Sequence, residues 1–408
     1  MKYGQIVAAI DIGSEKIVAA LANISAQGDI NLIALVEKQS KGVKKGGIAN
    51  IALVKHTVNA VLDELEADGS YQIHSIISSI SGINIVGHNA DGRIVIKSNH
   101  ITKHNVLQAA MIARDVAVQE GRHLLHLLKQ DIIVDNQHGI DDPIGLIGET
   151  LELHAHAITT TQTHYQNLLQ VFSERDVDVE SVVSAGLASA LAVTMPEEKK
   201  LGVCVLDIGA GTTEITIIAN NVVKHSEVIQ IGGEAITSDV AFFMRSTTET
   251  ADWAKQQVAI DFDYPLSDTL EIPGLSEASR SYPKYEIAEV IRDRCEDLIH
   301  IVMQKINRAG FESAFPAGFV ICGGGAQLLG IETLLMHQSQ LPVRRGEVEL
   351  TINGKTVKAC RYATLMGLFM CAYEEDYSSA LTQRRKKGII KSIVTSAKTV
   401  VQRLRQYF

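Results

Sequence analysis

Two aspartates 196 residues apart each end an apolar run and open a short glycine turn. Asp11 does so in "IVAAIDIGSEKIVAALANI" (6–24) and Asp207 in "VCVLDIGAGTTEITII" (203–218). A glycine turn between β-branched runs points several backbone N–H groups one way and forms an anion nest. Gly13, Gly209 and Gly211 permit positive φ and close approach of a ligand to the backbone. Ser14, Thr212 and Thr213 add hydroxyl donors, and Lys16 is long enough to reach a phosphate oxygen. Two such nests on facing lobes would clamp a polyphosphate. The aspartates would then hold a hydrated magnesium ion, which keeps most of its waters and takes carboxylates through them. A single D-I-G is equally an ordinary Asp-stabilised turn; the second copy, with a turn that reads two residues longer, makes the pattern specific.

A third cluster adds to it. "GFVICGGGAQLLGIETLL" (318–335) reads strand, Gly323-Gly324-Gly325, helix. Three successive glycines carry an entropic cost, which close approach of a flat ring or sugar to a helix N-terminus would justify. "QIGGEAITSDVA" (230–241) places Gly233 at another helix start.

Around these turns, β-patterned and helical stretches alternate. "INLIALVE" (30–37), "HSIISSIS" (74–81) and "SVVSA" (181–185) read as strands; residues 50–67, 165–176 and 186–194 read as helices, the last broken by "MPEEKK". This predicts α/β architecture in two pseudo-repeated halves. The first lobe takes 1–81 with 161–195 and part of 360–375. An α+β subdomain is inserted at 82–160, where "IVGHNADGRIVI" reads as a hairpin turning at Asp91-Gly92. The second lobe takes 196–233 and 301–359, with a further inserted lobe at 234–300. A linker follows at 376–388. "HLLHLL" and "HAH" in the first insertion read as surface or core histidines, and the charged "EEKK" as a solvated connector.

The chain has 408 residues and net charge −9. Every basic residue after Asp376 is unopposed by an acid, so that tail carries +8 and residues 1–376 carry −17. A body this acidic excludes nucleic acid as a partner. Five scattered cysteines without a C-x-x-C pair point to a reducing cytoplasm. No apolar run reaches the roughly 18 residues of a spanning helix, and Asp11 interrupts what would have to be a signal peptide.

The tail itself has a pattern. In "GIIKSIVTSAKTVVQRLRQYF" (388–408), Ile389, Ile390, Ile393, Val394, Val400, Val401, Leu404, Tyr407 and Phe408 recur at steps of three and four. Lys391, Lys398, Arg403 and Arg405 take the opposite side. A basic amphipathic helix over 389–408 suits the plane of an anionic membrane; a calmodulin-like groove is the competing partner.

The two D-x-G turns and "GGGAQLLG" resemble the two phosphate loops and the adenosine motif of the actin-like ATPase superfamily, and "TADWAKQQ" resembles its segment with an adenosine-side lysine, Lys255. Within it, "SAGLASALAV", "KLGVCVLDIGAGT", "DDPIGLIG", the insertion at 82–160 and the tail are most similar to the FtsA family of bacterial cell-division proteins, over essentially the whole chain. That resemblance implies ATP and Mg2+ in the central cleft and self-association into filaments. It implies binding of the FtsZ C-terminal peptide on 234–300 and contact of 82–160 with later division proteins such as FtsN. It also implies peripheral attachment to the cytoplasmic face of the inner membrane at the septum.

Hydrolysis needs a group to orient water. In the superfamily it stands in the segment that here reads Ser184-Ala185-Gly186, where no acid or amide is present. Glu214, just past the second turn, is the remaining candidate, so binding with weak or negligible turnover is expected. A pilus-assembly adaptor resembling PilM, or a small-molecule kinase of the same superfamily, are the other readings; the tail opposes the first and the missing acid the second.

Overall fold

The computed structural model describes residues 5–373 apart from 26, 68, 98–99, 273–279 and 353–354. The linker at 376–388 and the amphipathic stretch at 389–408 lie outside the described residues.

Two five-stranded sheets repeat one plan. The first runs β3 (Ile30–Gln39), β2 (Lys16–Ile24), β1 (Gln5–Ile12), β6 (Ser75–Ile80), β10 (Asp178–Ser184). The second runs β13 (Val222–Ile229), β12 (Thr213–Ala219), β11 (Val203–Ile208), β16 (Phe319–Cys322), β17 (Val343–Arg345). In each, three antiparallel strands are followed by two parallel ones. The central strands are buried on both faces, as their unbroken Val/Ile/Leu/Ala runs require.

The turns prove equal in length. Ile12 pairs with Ile17 and Ile208 with Thr213, and in each turn the leading glycine N–H donates to a carbonyl three residues on: Gly13 to Lys16 at 3.0 Å and Gly209 to Thr212 at 2.9 Å. The 196-residue offset therefore holds through the turn and into the following strand.

In the first half a small pair, β4 (Val43–Lys44) and β5 (Gly47–Ile48), leads to α1 (Ile51–Leu65), capped by Asn50. Between β6 and β10 the chain makes β7 (Val86–Val95), α2 (Lys103–Ala117), β8 (Arg122–Val134), β9 (Thr150–Thr161) and α3 (Gln162–Val171). Strands β7, β9 and β8 form a three-stranded antiparallel sheet with its own core under α2. Asp91 and Gly92 do not form a hairpin turn there. They sit inside the continuous β7, opposite His154 and Leu153 of β9. Gly92 is needed because a Cβ would lie 1.9 Å from the Ala109 carbonyl of α2. The glycine admits a helix rather than reversing the chain.

"MPEEKK" also differs from its reading. It forms the short helix α5 (Pro196–Leu201) with Pro196 in its first turn. Glu198 makes a two-pronged pair with Arg344 of β17, both N···O distances being 2.6 Å. That geometry suits a guanidinium fork and pins helix to sheet.

The second half continues with α6 (Gly233–Met244), α7 (Thr248–Gln256), the hairpin β14 (Thr269–Ile272) and β15 (Arg280–Pro283), and the long α8 (Lys284–Ala309). After β16 come α9 (Ile331–Ser339), then β17 and the hairpin β18 (Val348–Ile352) and β19 (Lys355–Ala359). Two helices are exchanged between the halves. α4 (Ala185–Val193) follows the first sheet in sequence but also packs on β11 and β12; α10 (Ala363–Tyr373) follows the second but packs on β1 and β6. They cross where Gly367 meets Ala188.

Candidate functional site

The two glycine turns meet. A Cβ added at Gly211 would lie 2.6 Å from the Ser14 hydroxyl and 2.8 Å from the Lys45 Cα. Ser14 Oγ accepts from the Gly46 amide at 3.0 Å, which ties the first turn to the β4–β5 loop. Ser81, just past β6, hydrogen-bonds Thr212 at 3.2 Å and the Glu214 carboxylate. Thr213 is buried and donates to the Ile231 carbonyl at 2.8 Å. It is structural, whereas Thr212 faces the junction.

Asp11 accepts from Ser79 Oγ at 2.7 Å, and Asp207 from Thr364 Oγ1 at 3.1 Å. Burial raises the affinity of both for a proton; Asp207 is pushed up to about 6, with the Asp11 charge adding to the effect. Asp207 is buried and Asp11 half-buried, and a carboxylate whose proton affinity rises with a second carboxylate's charge fits a site for a divalent cation. Among the described residues no three His, Cys, Asp or Glu donor atoms of this cleft lie within 4.8 Å of one another. Lys16 Nζ lies 3.3 Å from Glu37 and 4.3 Å from the centre of the Tyr362 ring, while its charge still acts on Asp11.

The glycine triplet divides by role. Gly323 has φ +83°, and a Cβ there would lie 2.3 Å from Asp207 Oδ1; one at Gly325 would lie 2.4 Å from the Ile208 side chain. Packing against the end of β11 explains both. Gly324 has helical φ and ψ with open space around it, so neither its backbone nor its packing requires glycine. At the start of α6 the sterically required residue is Gly232, whose Cβ would lie 2.5 Å from the Gly209 carbonyl, more than Gly233. The Gly233 and Glu234 amides donate to Gly209 and Ala210, so the second turn caps α6. Lys255 Nζ lies 2.6 Å from both Asp252 and Thr237 and 3.5 Å from the Gly233 carbonyl.

Glu214 is buried, and its carboxylate accepts from Ser81 Oγ and from the Gly186 amide. A Cβ at Gly186 would lie 2.6 Å from Glu214 Oε2. The acid missing from the start of α4 is thus supplied from β12, in the space Gly186 leaves. Burial, with the Asp207 charge, pushes Glu214 up to about 8.

Sequence reading missed Ser79, Ser81 and Thr364. The two serines had a signal: they end a parallel strand, where α/β sheets collect ligands. Thr364 had none, since only the exchanged α10 brings it to Asp207.

Comparisons with known proteins identify the family and the fold. Residues 82–159 match the family described as "SHS2 domain inserted in FTSA", and residues 204–367 match "Cell division protein FtsA". A cell division protein FtsA of Pseudomonas aeruginosa is 31% identical over 375 residues, covering 91% of this chain and 90% of that protein. Among solved structures, a PilM–PilN type IV pilus biogenesis complex aligns with TM-score 0.63 at 14% identity, over 90% of this chain and 99% of that one. MreB 5 of Spiroplasma citri bound to AMPPNP aligns with TM-score 0.54 at 13% identity, over 93% of this chain and 98% of that one. The fold is actin-like, and the chain belongs to the FtsA family of cell division proteins.

Proposed function

We propose that this chain binds ATP with magnesium between its two halves and acts as a membrane-attached, self-associating adaptor of the division machinery. The observation that carries the nucleotide is the pair of equal turns in contact, each with an aspartate at its lip. Gly13, Ser14, Gly209, Gly211 and Thr212 would hold phosphates, Asp11 and Asp207 a hydrated Mg2+, and Gly324 and Gly233 the adenosine, with Lys255 beside them. The bound cation supplies charge neutralisation to the phosphates. Glu214 shares its carboxylate with Ser81 and Gly186 N and is held in its proton-bound form near neutrality. It is poorly placed to accept a proton from water, which supports slow turnover.

Gly324→Ala separates ligand from fold. Alanine fits its helical backbone, so stability should stay within ~0.5 kcal/mol. ATP affinity measured by calorimetry with Mg2+ should fall by about tenfold or more, as a methyl group obstructs close approach. Unchanged affinity, or no magnesium-dependent heat in the wild type, would refute the site.

On the 234–300 lobe, Phe242 is 87% exposed in an open cleft that it lines with Phe243, Val290, Arg245, Arg294 and three aspartates, Asp239, Asp293 and Asp297; Arg294 is paired with Asp239 and Asp297. An exposed apolar anchor in a cleft suits a short peptide end held by its apolar side chains, and the FtsZ tail would dock there. The 82–160 lobe would meet later division proteins such as FtsN. Residues 389–408 would attach the chain to the inner membrane at the septum. Deleting them should abolish sedimentation with anionic vesicles; equal sedimentation of both forms would end that part of the reading.

A further inference from the structure

The inserted three-stranded sheet carries a cluster that the nucleotide cleft does not use. Asp91 of β7 pairs directly with His154 of β9, and Glu152 lies two residues before His154 on the same face. His154 Nε2 is 2.8 Å from Glu152 Oε1 and 3.8 Å from Asp91 Oδ1. Among the described residues this is a set of three metal-type donors, one from each side chain, all within 4.8 Å. The opposite face is closed: Leu151, Leu153 and Ala155 are buried under α2. Farther along the triad's own face, His156 is buried between Asn89 and Ser226 of β13. The triad stands where that face emerges into solvent, on the unbroken register of β7 with β9.

We infer that Asp91, Glu152 and His154 form a binding site for a late first-row divalent cation of the Zn2+ class. One nitrogen and two carboxylate oxygens with a solvent-open fourth position is the donor set of an open zinc site. Tetrahedral bonds of about 2.0–2.2 Å put ligand atoms ~3.4 Å apart, between the two separations seen here, so small side-chain rotations would complete the site. The ion would cross-link β7 to β9. The neighbours that compete for these side chains are Arg93, opposite Glu152 on β7, and Asp131, opposite His154 on β8.

Cobalt(II) serves as the probe, because its visible bands report coordination. The full-length protein, stripped with chelator and dialysed, should bind one equivalent of Co2+ that Zn2+ displaces. His154→Ala and Glu152→Gln should each weaken binding by at least the ~10-fold that loss of even an outer partner costs. His138→Ala, which removes the nearby partner of Asp131, should leave it unchanged. No Co2+ binding up to roughly 1 mM, a range weaker than about −4 kcal/mol, overturns the site. So does equal binding by the wild type and both triad variants.

Discussion

Replacing Glu214 by glutamine is expected to stabilise the ligand-free protein at pH 8 and to leave it nearly unchanged at pH 4.5. The acid is held proton-bound to about 8 by burial and by the Asp207 charge, against 4.5 for an ordinary glutamate. The folded state therefore binds more protons than the unfolded state between pH 4.5 and 8. Through that window its stability falls as pH rises. Glutamine copies the neutral acid: its oxygen can accept from Gly186 N, its amide can donate to Ser81 Oγ, and the serine proton can turn to Thr212. At ~1.4 kcal/mol per pH unit of displaced titration, the gain at pH 8 is about 4 kcal/mol, read from urea midpoints across pH. Parallel profiles for variant and wild type would show that Glu214 ionises freely in the folded chain.

The second large effect is expected at Gly367. Here α10 crosses α4 so closely that a Cβ would lie 1.8 Å from the Ala188 carbonyl oxygen and 2.2 Å from its carbon. Both obstacles are backbone, so no rotamer change relieves them. Gly367→Ala must part the helices, a strain of about 3 kcal/mol or more, and must shift Thr364 from Asp207. Thermal unfolding should move down by several degrees, and nucleotide affinity should fall with it. Gly324→Ala, whose space is open, should lose affinity alone. Wild-type stability in Gly367→Ala would mean that the crossing gives way freely.

The sequence displayed the duplication because it is written locally: Asp11 and Asp207, their flanking apolar runs and their glycines recur within short windows. It hid the equal length of the turns, since Lys16 and Thr212 look unlike until strand register aligns them. Asp91-Gly92 misled for a similar reason. The pair is a turn signal in an isolated strand, but Ala109, 17 residues beyond Gly92, decides its conformation. Gly186 read as a missing catalytic side chain; only the fold shows the space taken by Glu214. The exchange of α4 and α10 depends on contacts between residues far apart in the chain, which no periodicity records.

That exchange has a mechanical consequence. The last described helix leads into the C-terminal segment while its side supports the floor beneath Asp207 and Ser79. Gly367 bears on Ala188 and Thr364 on Asp207, so a displacement of α10 along its axis would disturb the helix crossing and the aspartate's partner together.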